Sequence, residues 1–335
     1  MVRVRFAPSP TGSLHLGGAL SAVANRRVGA WMLLRIDDTD AARTVEGGEE
    51  AILRDLEWLG IEWDEGPVRQ SERQDLYRAA AERLGVDRFD GITLLRRDGS
   101  ATYHLASVVD DVEFGITDVL RGNDHRANER LHRRLTEALG SAPPRYLHHG
   151  LLLGPDGKKL SKRHGAASVE DLRDAGVPAE AVRGYLEELG VPRHDVRFDA
   201  ERLRRLSVDA IAALSDDELA QRVGIPTRAV PAVRGAHDLE EAGATAGRIL
   251  ATPEPVVVAS PETLDRFREL LERADGELDR EGAKAILREL KAVGGDLREL
   301  RRALTGSERG PELWAVLVAL PRHEALRRAE ASRRA

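Results

Sequence analysis

No cysteine occurs in the 335 residues, which removes disulfides, thiol chemistry and cysteine–zinc sites at once. No window approaches the roughly 18 unbroken apolar residues that a membrane span needs. The opening residues "MVRVRFAPSP" lack the apolar core of a signal peptide, so a cytoplasmic protein without membrane association is expected. Ten histidines are present, yet none stands in HExxH or another familiar metal spacing, and no metal-ligating residue is expected. Internal repeats and low-complexity tracts are also missing.

What remains is a chain that is 41% hydrophobic and 32% charged, the balance of a folded protein of two or three domains. The net charge of −6 argues against indiscriminate coating of nucleic acid but leaves room for a local basic face. The stretch from Glu281 to Ala335 is mildly basic, which on charge alone reads as a solvated helical surface.

The alternation in Val2–Ala7 predicts a strand that ends in the turn-rich "PSPTGS". Small apolar residues at helical spacing follow in "LGGALSAVANRRVGA". "WMLLRID" (Trp31–Asp37) reads as a second strand, and "GGEEAILRDLEWLG" as an amphipathic helix with acids in its first turn. This order points to an α/β fold with a parallel sheet and helices packed on it. Thr102–Val109 and Gly115–Gly122 read as further strands, "NERLHRRLTEALG" as a helix, and "YLHHGLLL" as one apolar segment. Beyond Gly190 only helical periods are expected.

Two motifs carry chemistry. In "APSPTGSLHLGG" (Ala7–Gly18) a strand ends, the chain turns sharply, and a helix opens at a histidine and two glycines. A helix N-terminus offers unpaired N–H groups, and glycines let phosphate approach the backbone. Alone, HxGG reads equally well as a capped structural turn. In "GPDGKKLSKRHG" (Gly154–Gly165), Lys158, Lys159, Lys162 and Arg163 crowd around Ser161. Chemistry that expels pyrophosphate needs such cations, although a run of this kind is more often a solvated loop. The two motifs in this order on an α/β scaffold are far more specific than either alone.

Together "RFAPSPTGSLHLGG", "LLRIDDTDAAR", "LEWLGIEWDEGP", "QSER", "DGSATYHLASVVDD", "VLRGNDH" and "KKLSKRHG" resemble the glutamyl-tRNA synthetases, in family order. The likeness continues through "LRELKAVGGDLRELRRALTGSERGPELWAVLVALP" and covers nearly the whole chain. It implies a class I synthetase Rossmann-like catalytic domain over residues 1–150, a basic-loop and stem-contact region over 151–198, and an all-helical anticodon-binding-like domain over 199–335. It also implies activation of glutamate, or a close analogue, by ATP with Mg2+ as counter-ion, activation that requires tRNA, and transfer to tRNA by a monomeric enzyme. By the same resemblance His15, Lys159 and Lys162 are catalytic, acting on phosphate oxygens and the leaving pyrophosphate. Gly17, Gly18, Ser161 and Arg163 bind ATP, while Arg5, Ser9, Asp37, Tyr103 and Arg121 hold the amino acid. A buried carboxylate side chain calls for a fixed guanidinium, which suits Arg5 and Arg121.

The sequence departs from the family in one large respect. The domain-sized insertion expected between the QSER-like and DGxPTYH-like segments, which grips the acceptor end of tRNA, is absent here. Asp37 replaces the usual glutamate, Leu20 the usual arginine, and Asn123 the acid of "RGED". A second reading therefore stands beside the first: a synthetase-derived ligase that passes the activated amino acid to a carrier protein or small molecule. A non-catalytic RNA-binding protein and a small HxGH nucleotidyltransferase are further alternatives. The first does not explain the basic loop, and the second does not explain the helical half.

Overall fold

A computed structural model describes residues 1–161 and 167–334. By internal contacts it divides into two units, Met1–Asp174 with Ala179–Leu203, and Ala175–Pro178 with Arg204–Ala335.

The first unit is built on parallel strands. Strands β1 (Arg3–Phe6) and β2 (Trp31–Ile36) are joined by helix α1 (Leu16–Val28) and pair in parallel, Arg5 opposite Leu33. Helix α2 (Gly48–Trp58) leads to β3 (Glu65–Arg69), which pairs on the far side of β2. Buried Ala19, Ala22 and Ala24 line α1, small residues that suit close approach to a sheet. After α3 (Gln74–Leu84) comes a two-residue hairpin between β4 (Arg88–Phe89) and β5 (Ile92–Thr93). Asp90 and Gly91 at its tip both have positive φ, the conformation a tight hairpin of this length demands.

The next segment corrects a sequence expectation. Thr102–Val109 is not a strand: α4 (Tyr103–Glu113) is a helix with Thr102 as its N-cap. An apolar run of eight residues fits a buried strand or a buried helix equally well. Tertiary packing decides, because Leu105, Ala106, Val108 and Val109 fill a core with Tyr77 and Ala80 of α3. Strand β6 (Asp118–Gly122) follows, then α5 (Glu129–Ala138) and β7 (Arg145–His149), with Arg121 of β6 opposite His148 of β7. Arg3 N–H donates to Thr117 Oγ1 at 2.9 Å, bringing the start of β1 beside the segment that enters β6.

The apolar segment "YLHHGLLL" is divided between β7 and β8 (Leu152–Leu153). A Cβ at Gly150, between them, would lie 1.9 Å from the His194 carbonyl oxygen, so only glycine fits there. Beyond it lie α6 (Val169–Asp174), α7 (Ala179–Leu189) and β9 (Val196–Arg197). Strand β9 pairs with β8, which corrects the expectation that strands end at Gly190. It is too short to show periodicity, and its existence depends on the partner. Helix α8 (Ala200–Ala213) closes the unit and runs on into the second.

The second unit is helical: α9 (Asp216–Val223), α10 (Val230–Val233), α11 (Leu239–Leu250), α12 (Pro261–Arg273), α13 (Arg280–Ala292), α14 (Leu297–Thr305), α15 (Leu313–Ala319) and α16 (Arg322–Arg334). Phe267, Leu290, Leu304 and Val316 are among its core residues. Asp238, Asp279 and Asp296 cap α11, α13 and α14 by accepting from backbone N–H groups of the first turn. Buried Arg328 donates to the carbonyls of Ile249, Leu250 and Leu304 and to Glu324. It thereby satisfies acceptors at the C-terminal ends of α11 and α14. Among the described residues no helix is long and apolar enough to cross a membrane.

Candidate active site

One cleft of about 660 Å³ opens in the first unit at the C-terminal ends of β1, β2 and β6. Ligands of open parallel sheets bind in this position. Arg5, Ser9, His15, Gly17, Gly18, Asp37, Tyr103, Arg121 and Lys159 all line it. The fold thus gathers nine of the twelve residues named from the sequence. Ser161 is half-buried and does not line the cleft; Lys162 and Arg163 lie outside the described residues.

His15 is the N-cap of α1, exposed, with extended backbone and no side-chain capping bond. Its ring is therefore not committed to the helix end. Among the described residues a Cβ at Gly17 would meet nothing within 4 Å, so they leave a ligand room to approach the backbone there. The turn is held from behind. Leu16 N–H donates to the Ala167 carbonyl at 2.9 Å, and Val169 N–H to the Leu14 carbonyl at 2.8 Å. Asp55 of α2, wholly buried, accepts from Ser13 Oγ at 2.7 Å, Leu14 N–H at 2.8 Å and Arg173 Nη1 at 3.1 Å. A single carboxylate thus ties the HxGG turn to α6, the helix that follows the basic loop.

Lys159 pairs antiparallel with Leu153 at the base of that loop, and its Nζ donates to Asp124 at 2.8 Å. Burial opposes ionisation of Asp124, but the hydrogen bond and charge of Lys159 outweigh it and hold the carboxyl below its usual range.

Joined to the cleft through Asp37, a buried charge network surrounds Arg35. Its guanidinium donates to both oxygens of Asp37, at 2.7 and 3.2 Å, and to Asp111 at 3.0 Å; Asp110 lies 3.6 Å from Nε. Burial alone would lower the Arg35 pKa, yet the three carboxylates leave it raised. Burial pushes the Asp37 carboxyl up, against the opposing pull of Arg35. Asp110 also accepts from Gln70, Arg73 and Tyr77, each at 2.9–3.0 Å. Arg5 Nε lies 3.3 Å from Asp111 but has no hydrogen-bond partner.

Arg121 is surrounded differently. It lies over the Tyr146 ring, 5.1 Å from the centroid, and donates to His148 and His132. Its buried Nη2 has no partner among the described residues. Burial pulls its pKa down from the ordinary arginine value. Tyr103 contacts the rings of His104, His125 and His132, and burial raises its hydroxyl pKa.

The residues that sequence reasoning missed are Arg35, Asp55, Asp110, Asp111 and the histidines around Arg121 and Tyr103: His104, His125, His132 and His148. One signal for the acids was present: Tyr103, Ser107, Asp110 and Asp111 fall at the i, i+4, i+7, i+8 spacing of one helical face. The strand reading of Thr102–Val109 concealed it. Asp55 gave no signal, since its partners are about forty residues upstream or 118 residues downstream.

The sequence matches the family of class I tRNA synthetases (E and Q), catalytic domain, over residues 1–88 and 85–207. That match defines the class of this sheet and cleft. The "Glutamate--tRNA ligase 1" of Rubrobacter xylanophilus is 37% identical over an alignment covering all of this chain and 98% of that protein. A glutamate--tRNA ligase of Akkermansia muciniphila is 31% identical, with 98% of each chain covered. A crystal structure of a glutamate tRNA ligase from Elizabethkingia meningosepticum, in complex with its amino acid, superposes with a TM-score of 0.83 at 22% identity, covering 99% of each chain. The chain belongs to the glutamate--tRNA ligase family of class I synthetases. It is a short member: the Rubrobacter alignment runs over 424 positions against 335 residues here, so that relative carries roughly 90 positions more. The two matched stretches overlap at residues 85–88, from the end of α3 to the first residue of β4.

Proposed function

We infer that this protein joins glutamate to ATP as the aminoacyl adenylate and transfers the acyl group to tRNA. The observation that carries the reading is buried Arg121, which among the described residues has no carboxylate partner and an unpartnered Nη2, in the same cleft as Arg5 and the N-terminus of α1. Such a group calls for a buried anion. Support also comes from relatives named glutamate--tRNA ligases that align over the helical half as well as the sheet. That extent favours tRNA over a carrier protein or small molecule as acceptor.

In this reading the substrate side chain's carboxylate meets Arg121 and Arg5, with Ser9 and Tyr103 as hydrogen-bonding neighbours. Asp37, oriented by Arg35, receives the ammonium group. The free α-carboxylate attacks the α-phosphorus of ATP; a carboxylate oxygen bonds to phosphorus while the bond to pyrophosphate breaks. Adenosine packs at Gly17 and Gly18. His15 and Lys159, with Lys162, Ser161 and Arg163 from the sequence motif, stabilise charge on the departing phosphates. Lys159 must exchange Asp124 for phosphate to do so. A ribose hydroxyl of tRNA then attacks the adenylate carbonyl and AMP leaves.

Among the described residues no cluster of three or more His, Asp or Glu side chains is arranged to hold a metal. Magnesium therefore fits as an ion carried by the phosphates of ATP, where it would neutralise phosphate charge. The reading assigns catalysis to residues 1–150, stem contact to 151–198 and anticodon binding to 199–335, in a cytoplasmic monomer.

The test is ATP–pyrophosphate exchange with glutamate, with and without total tRNA. Exchange only with tRNA, accompanied by charging, is the expected result, and His15→Ala should slow it by about 100- to 1,000-fold. Exchange without tRNA would direct the search to another acceptor. No exchange under either condition would overturn the reading.

A further inference from the structure

A guanidinium can only donate hydrogen bonds, so the partners of Arg121 have their proton positions decided for them. Arg121 Nε lies 3.3 Å from His148 Nε2, and Nη1 lies 3.4 Å from His132 Nδ1. Both ring nitrogens must present lone pairs. The His148 proton then sits on Nδ1, 3.6 Å from Glu129 Oε2. The His132 proton sits on Nε2 and is donated to His104 Nδ1 at 3.1 Å. Burial, and next the charge of Arg121, push His132 down to about 2 and His148 down to about 4. Both rings are neutral at neutral pH.

The arrangement follows from the sheet register. Arg121 stands opposite His148 across the parallel β6–β7 pair. Tyr146, two residues earlier on the same face, stacks its ring on His148 at 6.4 Å and lies beneath the guanidinium. His132 reaches in from α5, where it is buried. Among the described residues no carboxylate forms an ion pair with Arg121, and Asp111, whose charge acts on it, is already held by Arg35 and Arg5. The guanidinium is thus fixed at two nitrogens by neutral acceptors and keeps its charge for whatever meets Nη2.

We propose that His132 and His148 are positioning residues that set substrate specificity: they orient Arg121 without neutralising it, so the cleft accepts a carboxylate side chain and rejects the isosteric carboxamide. Aspartate or glutamate in their place would orient the same guanidinium and cancel its charge. A neutral carboxamide would then no longer leave an unmatched buried cation, and discrimination would fall. The proposal rests on the glutamate reading above.

The experiment compares the wild-type enzyme with His132→Gln, His148→Gln, His132→Glu and His148→Glu in tRNA-dependent exchange, with glutamate or glutamine as substrate. Wild type should prefer glutamate strongly. The Gln variants keep a neutral acceptor and should raise KM for glutamate a few-fold while preserving the preference. The Glu variants should raise KM for glutamate about 10- to 100-fold, the span of one charge-assisted hydrogen bond. Their kcat and KM for ATP should be little changed, and their glutamate-to-glutamine ratio should fall by a similar factor. Equal losses in all four variants with the ratio unchanged would show a merely structural role and overturn the proposal. If the Glu variants do not fold, His132→Leu and His148→Leu, which remove the acceptor altogether, decide the matter: an unchanged KM for glutamate in both overturns it equally. Wild type without any glutamate-dependent exchange would instead defeat the functional reading beneath it.

Discussion

Arg35 and Arg121 are both buried in the first unit, on strands β2 and β6, yet their surroundings are opposite. Arg35 is enclosed by Asp37, Asp110 and Asp111; Arg121 rests on two neutral imidazoles and an aromatic face. Burying a charge is costly unless paired and hydrogen-bonded, and the first site meets that condition with carboxylates. The second leaves part of the cost standing. The difference separates an arginine held by carboxylates of the fold from one that, among the described residues, keeps its charge unpaired in the cleft. Arg328 in the helical unit belongs with Arg35: carbonyls and Glu324 occupy its donors.

Removing each arginine in turn tests this contrast. Arg35→Met takes the guanidinium away from buried Asp37 and weakens the compensation of Asp110 and Asp111, and should cost about 3–5 kcal/mol of stability by urea unfolding. Arg121→Met should change unfolding by no more than about 1 kcal/mol, because it removes a desolvated cation with no carboxylate partner. Its kcat/KM for glutamate should nevertheless fall by about 2–4 kcal/mol, roughly 30- to 1,000-fold. Equal stability losses for the two variants would abolish the distinction.

A smaller effect is expected on the other side of the cleft. Asp55→Asn keeps the shape of the side chain but loses the charge that Arg173 pairs with and one of the two oxygens that accept from Arg173 on one side and from Ser13 and Leu14 on the other. It should cost about 1–3 kcal/mol of stability. KM for ATP should rise while KM for glutamate stays near the wild-type value, because Asp55 supports the HxGG turn and not the arginines. A rise in both would mean that the cleft responds as one body.

Much of the first unit is legible in local sequence patterns. The alternation of Val2–Ala7, the apolar run of Trp31–Asp37 and the acid-started helix over Gly48–Trp58 each form as expected. Thr102–Val109 misleads because a short apolar run carries no period of its own, and the helix appears only once α3 supplies the other half of its core. Strand β9 escapes detection for the same reason: two residues become a strand only when β8 lies beside them.

The site divides along the same line. His15, Gly17, Gly18 and Lys159 lie in compact motifs whose residue types suit phosphate chemistry, while the carboxylate-binding roles expected of Arg5 and Arg121 come from the resemblance of their segments to the family. Composition by itself excluded cysteine chemistry, and the order of motifs determined the class of fold. Tertiary structure alone decided which arginine is neutralised, since Arg35 and Asp111 are 76 residues apart and Arg121 and His148 are 27 residues apart. Charge compensation depends on distances of about 3 Å, and a chain brings such distant residues together only by folding.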